Sequence, residues 1–124
     1  MKKIMIIDDS DSTRASLEII LKELGHQVLA AENGVEAIRH LEQDTPFDLI
    51  LTDIFMPEMD GIEFIEKAKA LYPELKIIAM SAGGMGLKGT EMLAIASDLG
   101  AERVVTKPFS SGDIQNAVST ALQG

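Results

Sequence analysis

Three runs in this chain are apolar at successive positions, where a half-exposed strand would alternate: Ile4-Met-Ile-Ile7, Leu49-Ile-Leu51 and Ile77-Ile-Ala-Met80. Neighbouring side chains of a strand point to opposite faces, so each run needs apolar cover on both. The runs are too short to be buried helices. They predict a parallel sheet with helices on both faces, an α/β fold. Two more strand-like stretches, residues 27–31 and 103–106, complete a β-α unit repeated five times. Right-handed crossovers follow for such units.

The helices are marked by spacing and by caps. In residues 12–24, Leu17, Ile20, Leu21 and Leu24 share one face, and Gly25 can stop the helix in the left-handed conformation. Asn33, with Glu36 three residues on, reads as an N-cap for a helix running to about Glu42. A Thr45-Pro46 turn precedes the third strand. Asp60 and Glu63 repeat the capping pattern before a helix with an Ile62, Ile65 and Ala68 stripe that ends near Tyr72-Pro73. A fourth helix is expected over about residues 90–99, with Gly100 as its cap. The last helix carries Ile114, Ala117, Val118, Ala121 and Leu122 at helical spacing. Met5, Met80 and Met92 are expected in the core.

Composition narrows the function. With 124 residues, 46% hydrophobic content and no internal linker, a single domain over residues 1–124 is expected, with no output domain attached. The net charge of −9 argues against a nucleic-acid backbone as direct partner. There is no cysteine, which excludes disulfide and thiolate chemistry. Four apolar residues follow the opening Met-Lys-Lys, too few for a signal peptide, and no stretch approaches a membrane span. A cytoplasmic protein without membrane insertion is expected.

The strand ends carry the chemistry. The carboxyl ends of the strands form one edge of an open parallel sheet, and ligands bind there. The first run leads into Asp8 and Asp9, the third strand into Asp53, the fourth into Ser81, and the fifth into Lys107-Pro108. One aspartate after a strand is ordinarily a turn residue or an N-cap, and one lysine is ordinarily a surface residue. Such residues at four strand ends describe a site. Two carboxylates about 5 Å apart repel by roughly 3 kcal/mol at an effective dielectric near 20, so they take up protons or bind a cation. The donors are hard oxygens with no His or Cys among them, which favours Mg²⁺. Lys107 and Ser81 could then neutralise a tetrahedral oxyanion, and an aspartate could carry a phosphoryl group as an acyl phosphate.

Ile6-Ile-Asp-Asp9, Leu49-Ile-Leu-Thr-Asp53, Met56-Pro57 with Asp60-Gly61, Met80-Ser81-Ala82 and Thr106-Lys-Pro-Phe109 occur in this order along the chain. On these motifs the chain resembles a stand-alone response regulator receiver domain, similar to the chemotaxis regulators of two-component phosphorelay signalling, over essentially its whole length. The resemblance implies a flavodoxin-like (βα)5 fold with strand order 2-1-3-4-5. It implies that Asp53 accepts a phosphoryl group from a sensor histidine kinase or a histidine phosphotransfer protein. It implies Mg²⁺ held by Asp8, Asp9, Asp53 and the backbone carbonyl of Phe55, with Asp8 acting through water. It implies that Ser81 and Lys107 bind the phosphoryl oxygens and switch the surface around the helix at 90–99 for a downstream protein. The Lys107-Pro108 bond is expected to be cis. On this reading the chain is not an enzyme beyond autocatalytic phosphoryl acceptance and hydrolysis.

Three positions depart from the family pattern. Val104 stands where receivers usually carry a Phe or Tyr, three residues before the lysine. The stretch 82–89 is longer than usual and holds four glycines, and a flexible loop there could take over the role of the missing aromatic. Phe55 follows Asp53 by two residues and could shield an acyl phosphate from water.

Other readings compete with this one. Gly84-Met-Gly-Leu-Lys-Gly89 matches a dinucleotide fingerprint, but the acidic residue expected about 20 positions on is missing. Asp9-Ser-Asp-Ser-Thr13 fits a haloacid-dehalogenase-like phosphatase, with Asp9 as nucleophile and Asp11 as general acid. A phosphorylation-independent interaction module would have no need of all five site residues. His26 and His40 read as exposed, with no neighbours suggesting a phosphodonor or a metal ligand.

Overall fold

In a computed structural model, which describes residues 2–43, 46–54, 59, 61–82, 94, 96–98 and 100–123, the five strands form one parallel sheet. They are β1 (Lys3–Ile7), β2 (Gln27–Ala31), β3 (Leu49–Asp53), β4 (Lys76–Ala82) and β5 (Arg103–Lys107), and the spatial order is β2-β1-β3-β4-β5. The helices are α1 (Asp11–Glu23), α2 (Gly34–Gln43), α3 (Gly61–Leu71) and α4 (Ser111–Gln123). Residues 94 and 96–98 are also helical.

The continuous apolar runs are accounted for by two core layers. Met5, Ile7, Ile50, Ile77 and Ala79 pack with Leu41 of α2 and Phe64, Ile65 and Ala68 of α3. Their sequence neighbours Ile4, Ile6, Leu49, Leu51, Ile78 and Met80 pack with Leu17 and Leu21 of α1 and Ile114 and Val118 of α4. Strands β1, β3 and β4 therefore alternate between two buried faces.

The caps follow the local sequence. Asn33 Oδ1 accepts from Glu36 N–H at 2.8 Å, as expected. Gly25 and Gly100 take positive φ of 89° and 113°, as their capping roles require. Helix α1 starts at Asp11, one residue before the expected Ser12, because Ser10 accepts from Thr13 N–H at 3.3 Å and serves as the N-cap. At α4, Ser110 and Asp113 form a reciprocal capping box that the apolar spacing did not reveal.

Two expectations need correction. Phe64 lies buried on α3 beside Ile65 and Ala68, whereas Ile62 is only partly buried. The inward face begins at Gly61 and Phe64, which shifts the stripe. His26 and His40 are half-buried. His26 Nδ1 accepts from Lys2 N–H at 3.3 Å, and burial lowers its pKa. His40 lies 3.8 Å from Glu36, one turn earlier on α2.

The Asp60 cap, Thr45 of the turn, Met92 and most of the 90–99 helix lie outside the described residues, as do Phe55 and the 83–89 loop. Among the described residues, no helix is long and apolar enough to cross a membrane.

Candidate phosphoryl and metal site

Strands β1 and β3 are neighbours, with Ile7 paired to Thr52. The next residue on each therefore lies side by side at the sheet's carboxyl edge, Asp8 just past β1 and Asp53 as the last residue of β3. Asp9 follows at the exposed rim. One carboxylate oxygen from each of Asp8, Asp9 and Asp53 lies within 4.8 Å of the other two. Asp8 and Asp53 are buried.

Lys107 comes from the far end of the chain. Its Nζ donates to Asp8 Oδ2 at 2.6 Å and lies 3.6 Å from Asp53 Oδ2. The following Lys107-Pro108 peptide is cis, as expected. Ser81 was expected just past strand four, but β4 runs on to Ala82 and Ser81 pairs with Thr106 inside the sheet. Its hydroxyl is fully buried and has no hydrogen-bond partner among the described residues.

The electrostatics distinguish the acids. Burial pushes the Asp53 carboxyl up to about 6, with the charge of Asp8 adding to the rise and Lys107 opposing it. Asp8 is held at four points. Its N–H donates to Ala31 O at 3.2 Å, and its carbonyl accepts from Arg14 Nη1 at 2.6 Å. Its Oδ1 accepts from Ser10 N–H at 2.9 Å, and its Oδ2 takes Lys107.

The structure gathers Asp8, Asp9, Asp53 and Lys107 at one edge, with Ser81 one step beyond Met80, the register partner of Asp53. Asp11 is not part of the cluster. It is exposed at the start of α1, where it pairs with Arg14. Val104, at the position where an aromatic is usual, is 45% exposed on β5.

Two contributors went unread in the sequence. Arg14 clamps Asp8, and its signal was a cation in the first turn of a helix, where the macrodipole disfavours positive charge. Gly61 packs directly on the acceptor strand. A Cβ there would lie 2.4 Å from Asp53 O and 2.6 Å from Ile54 Cα, and Gly61 N–H donates to Ile54 O at 2.8 Å. Its signal was a glycine at the second residue of the Asp60-to-Glu63 capping pattern, a position the pattern leaves open.

The donor set fits a small hard cation. Three oxygen donors lie close together, two of them buried, and the proton affinity of Asp53 is raised first by burial and then by repulsion from Asp8, which a divalent ion would relieve.

The family model for the response regulator receiver domain matches residues 4–119. The chain is 37% identical over 125 residues to the response regulator receiver protein CpdR of Brucella abortus, covering 98% of each chain. It is 37% identical over 124 residues to the chemotaxis protein CheY of Listeria monocytogenes, covering 99% of this chain and 100% of that one. It is also similar to the solved CheY-like receiver domain protein of Methanospirillum hungatei, with a TM-score of 0.89 and 31% identity over 99% of this chain and 94% of that one. Receivers of this family are phosphorylated on an aspartate, bind Mg²⁺ at an acidic pocket, and act between histidine kinases and downstream effectors rather than as conventional enzymes. The strand order, the acidic edge and the lysine that closes it agree with these matches, and the chain belongs to the response regulator receiver domain family.

Proposed function

We propose that the chain accepts a phosphoryl group on Asp53 from a phosphohistidine of a sensor histidine kinase or histidine phosphotransfer protein. The observation that carries this reading is the inequality of the three carboxylates. Both oxygens of Asp8 are engaged, one by Ser10 N–H and one by Lys107. Asp9 sits at the exposed rim. Asp53 is buried on the central strand, and its Oδ2 stands 3.6 Å from Lys107, beyond a tight bond. It is the buried acid with an oxygen available beside the ammonium.

In the transfer, an Asp53 carboxylate oxygen forms a bond to phosphorus as the bond from phosphorus to the histidine nitrogen breaks. The nitrogen leaves with the electron pair. Lys107 is close enough to move from Asp8 toward the incoming phosphoryl oxygens, and the Ser81 hydroxyl supplies a neutral donor there. Asp8, Asp9 and Asp53, with the Phe55 carbonyl as the family pattern implies, would hold Mg²⁺. When bound, Mg²⁺ supplies positive charge that offsets repulsion between the acids and the phosphoryl group. Hydrolysis of the acyl phosphate would then reset Asp53 without a separate catalytic base.

The switched surface would be read by a downstream protein. A cytoplasmic setting fits this reading, since kinase transmitter domains work there and the chain carries no cysteine. We read residues 1–124 as one receiver domain, because α1 and α4 share a single core layer.

The test is incubation with Mg²⁺ and acetyl phosphate, followed by intact mass. Wild type should gain one phosphoryl group and Asp53→Asn none. Labelling that persists in Asp53→Asn and vanishes in Asp9→Asn would replace this reading with the phosphatase one.

A further inference from the structure

We propose that Arg14 is a positioning residue for the cation site, one that fixes the Asp8-Asp9 peptide so that the exposed Asp9 carboxylate stays with the buried pair. The inference rests on the reading of Asp8, Asp9 and Asp53 as a Mg²⁺ site.

Asp9 needs an external hold. It is exposed, and no hydrogen bond to its carboxylate is found among the described residues. Its direction is set by the backbone, through the peptide that joins it to Asp8. The carbonyl of that peptide accepts from Arg14 Nη1 at 2.6 Å. The Arg14 side chain is only 14% exposed, so the guanidinium is committed to this role rather than reaching into solvent.

The placement of Arg14 is otherwise unfavourable. It sits in the first turn of α1, where the helix dipole repels a cation. It also brings positive charge toward a site meant to attract one. Two acids offset both effects: Asp11 pairs with Nη2, and Glu32 lies 3.9 Å from the same nitrogen. The guanidinium can therefore act as a two-pronged donor with much of its charge neutralised. Lysine, with its single point charge, could reach the carbonyl or the acids but not span them in the same way.

This arrangement gives a test in which electrostatics and positioning have opposite signs. Removing a cation near the acids should, by Coulomb's law alone, tighten Mg²⁺ binding. Removing a clamp on a metal ligand should weaken it, typically about tenfold or more. Calorimetric titration of Mg²⁺ into wild type, Arg14→Gln, Arg14→Lys and Ala15→Gly, with the metal-free melting midpoint of each, separates the two. Ala15 is exposed on the same helix, and its glycine variant loosens α1 without touching the clamp.

The expected result is an affinity loss of about tenfold for Arg14→Gln. Partial recovery is expected in Arg14→Lys, and unchanged affinity in Ala15→Gly despite its lower midpoint. Should Arg14→Gln not fold, Arg14→Lys decides: affinity equal to wild type overturns the proposal. Equal or tighter binding by Arg14→Gln overturns it too, as does an equal loss in Ala15→Gly. A wild type that takes up no Mg²⁺ overturns the site reading itself, and the clamp with it.

Discussion

Lys107 Nζ sits 2.6 Å from Asp8 Oδ2, an ion pair that ties the end of the last strand to the end of the first. Asp53 is a secondary partner at 3.6 Å. The ammonium therefore compensates the buried acids before any other cation arrives. Lys107→Met should destabilise the metal-free protein at neutral pH by about 2–4 kcal/mol, since it leaves buried charge unpaired. Saturating Mg²⁺ should restore a good part of this by mass action. Urea denaturation with and without Mg²⁺ measures both. Equal stability of variant and wild type without metal would contradict the pairing role.

The Asp53 carboxyl gives the metal-free protein a specific pH dependence. Its pKa is raised to about 6 from the ordinary 3.8, mainly by burial and then by Asp8. The folded state thus holds a proton that the unfolded state has already released. The resulting stabilisation is fully present below pH 3.8 and is lost as the pH rises through about 6. The full linkage would be about 3 kcal/mol at most. Asp53→Asn should remove this slope and be the more stable protein at pH 7 in EDTA. Parallel denaturation series across this range would show it, and identical slopes would refute it.

Ser81 holds a buried hydroxyl without a partner among the described residues. Such a group costs about 1–2 kcal/mol when left unsatisfied. Ser81→Ala should therefore leave the resting protein as stable as before, or more stable by up to about 1 kcal/mol. The same change should slow phosphorylation by acetyl phosphate, because the donor is missing when phosphoryl oxygens arrive. A variant that loses stability and keeps its phosphorylation rate would reverse the assignment.

Gly61→Ala should be among the most damaging single-atom additions in the chain. The new methyl would meet Asp53 O at 2.4 Å and Ile54 Cα at 2.6 Å, both backbone atoms that cannot swing aside. Overpacking of this kind costs about 1–3 kcal/mol or more, and here it would push on the acceptor itself. Thermal melts should show the loss, and labelling of Asp53 should fall beyond what the lower stability explains. Wild-type values for both would show that α3 can lift away at no cost.

The sheet and the five site positions were readable because each depends on a short local pattern. Three continuously apolar runs demand two covered faces, and polar residues at their ends must then share an edge. Asp8, Asp53 and Lys107 follow from this logic without any knowledge of their distances. Ser81 was placed one step wrong because Ala82 is as compatible with a strand as with a loop. Arg14 and Gly61 were not legible for a different reason. A guanidinium clamp on a carbonyl, and a helix pressed on a strand's backbone, are contacts between segments that carry no periodicity of their own. Phe64 illustrates the same limit within one helix. Its apolar character was plain, but only the approach angle of α3 decides whether Ile62 or Phe64 faces inward.

The register of β1 against β3, with Ile7 opposite Thr52, makes the site sensitive to the parity of strand length. Successive residues of a strand alternate in direction, so inserting one residue into β1 or β3 would turn its terminal aspartate away from the other. The opposite edge of the sheet is under no such rule. There Lys2 N–H donates to His26 Nδ1, and Lys3 N–H at the start of β1 donates to Asp48 Oδ2. Length changes among descendants of this chain should therefore accumulate at the amino edge of the sheet, and the carboxyl edge should drift by substitution alone.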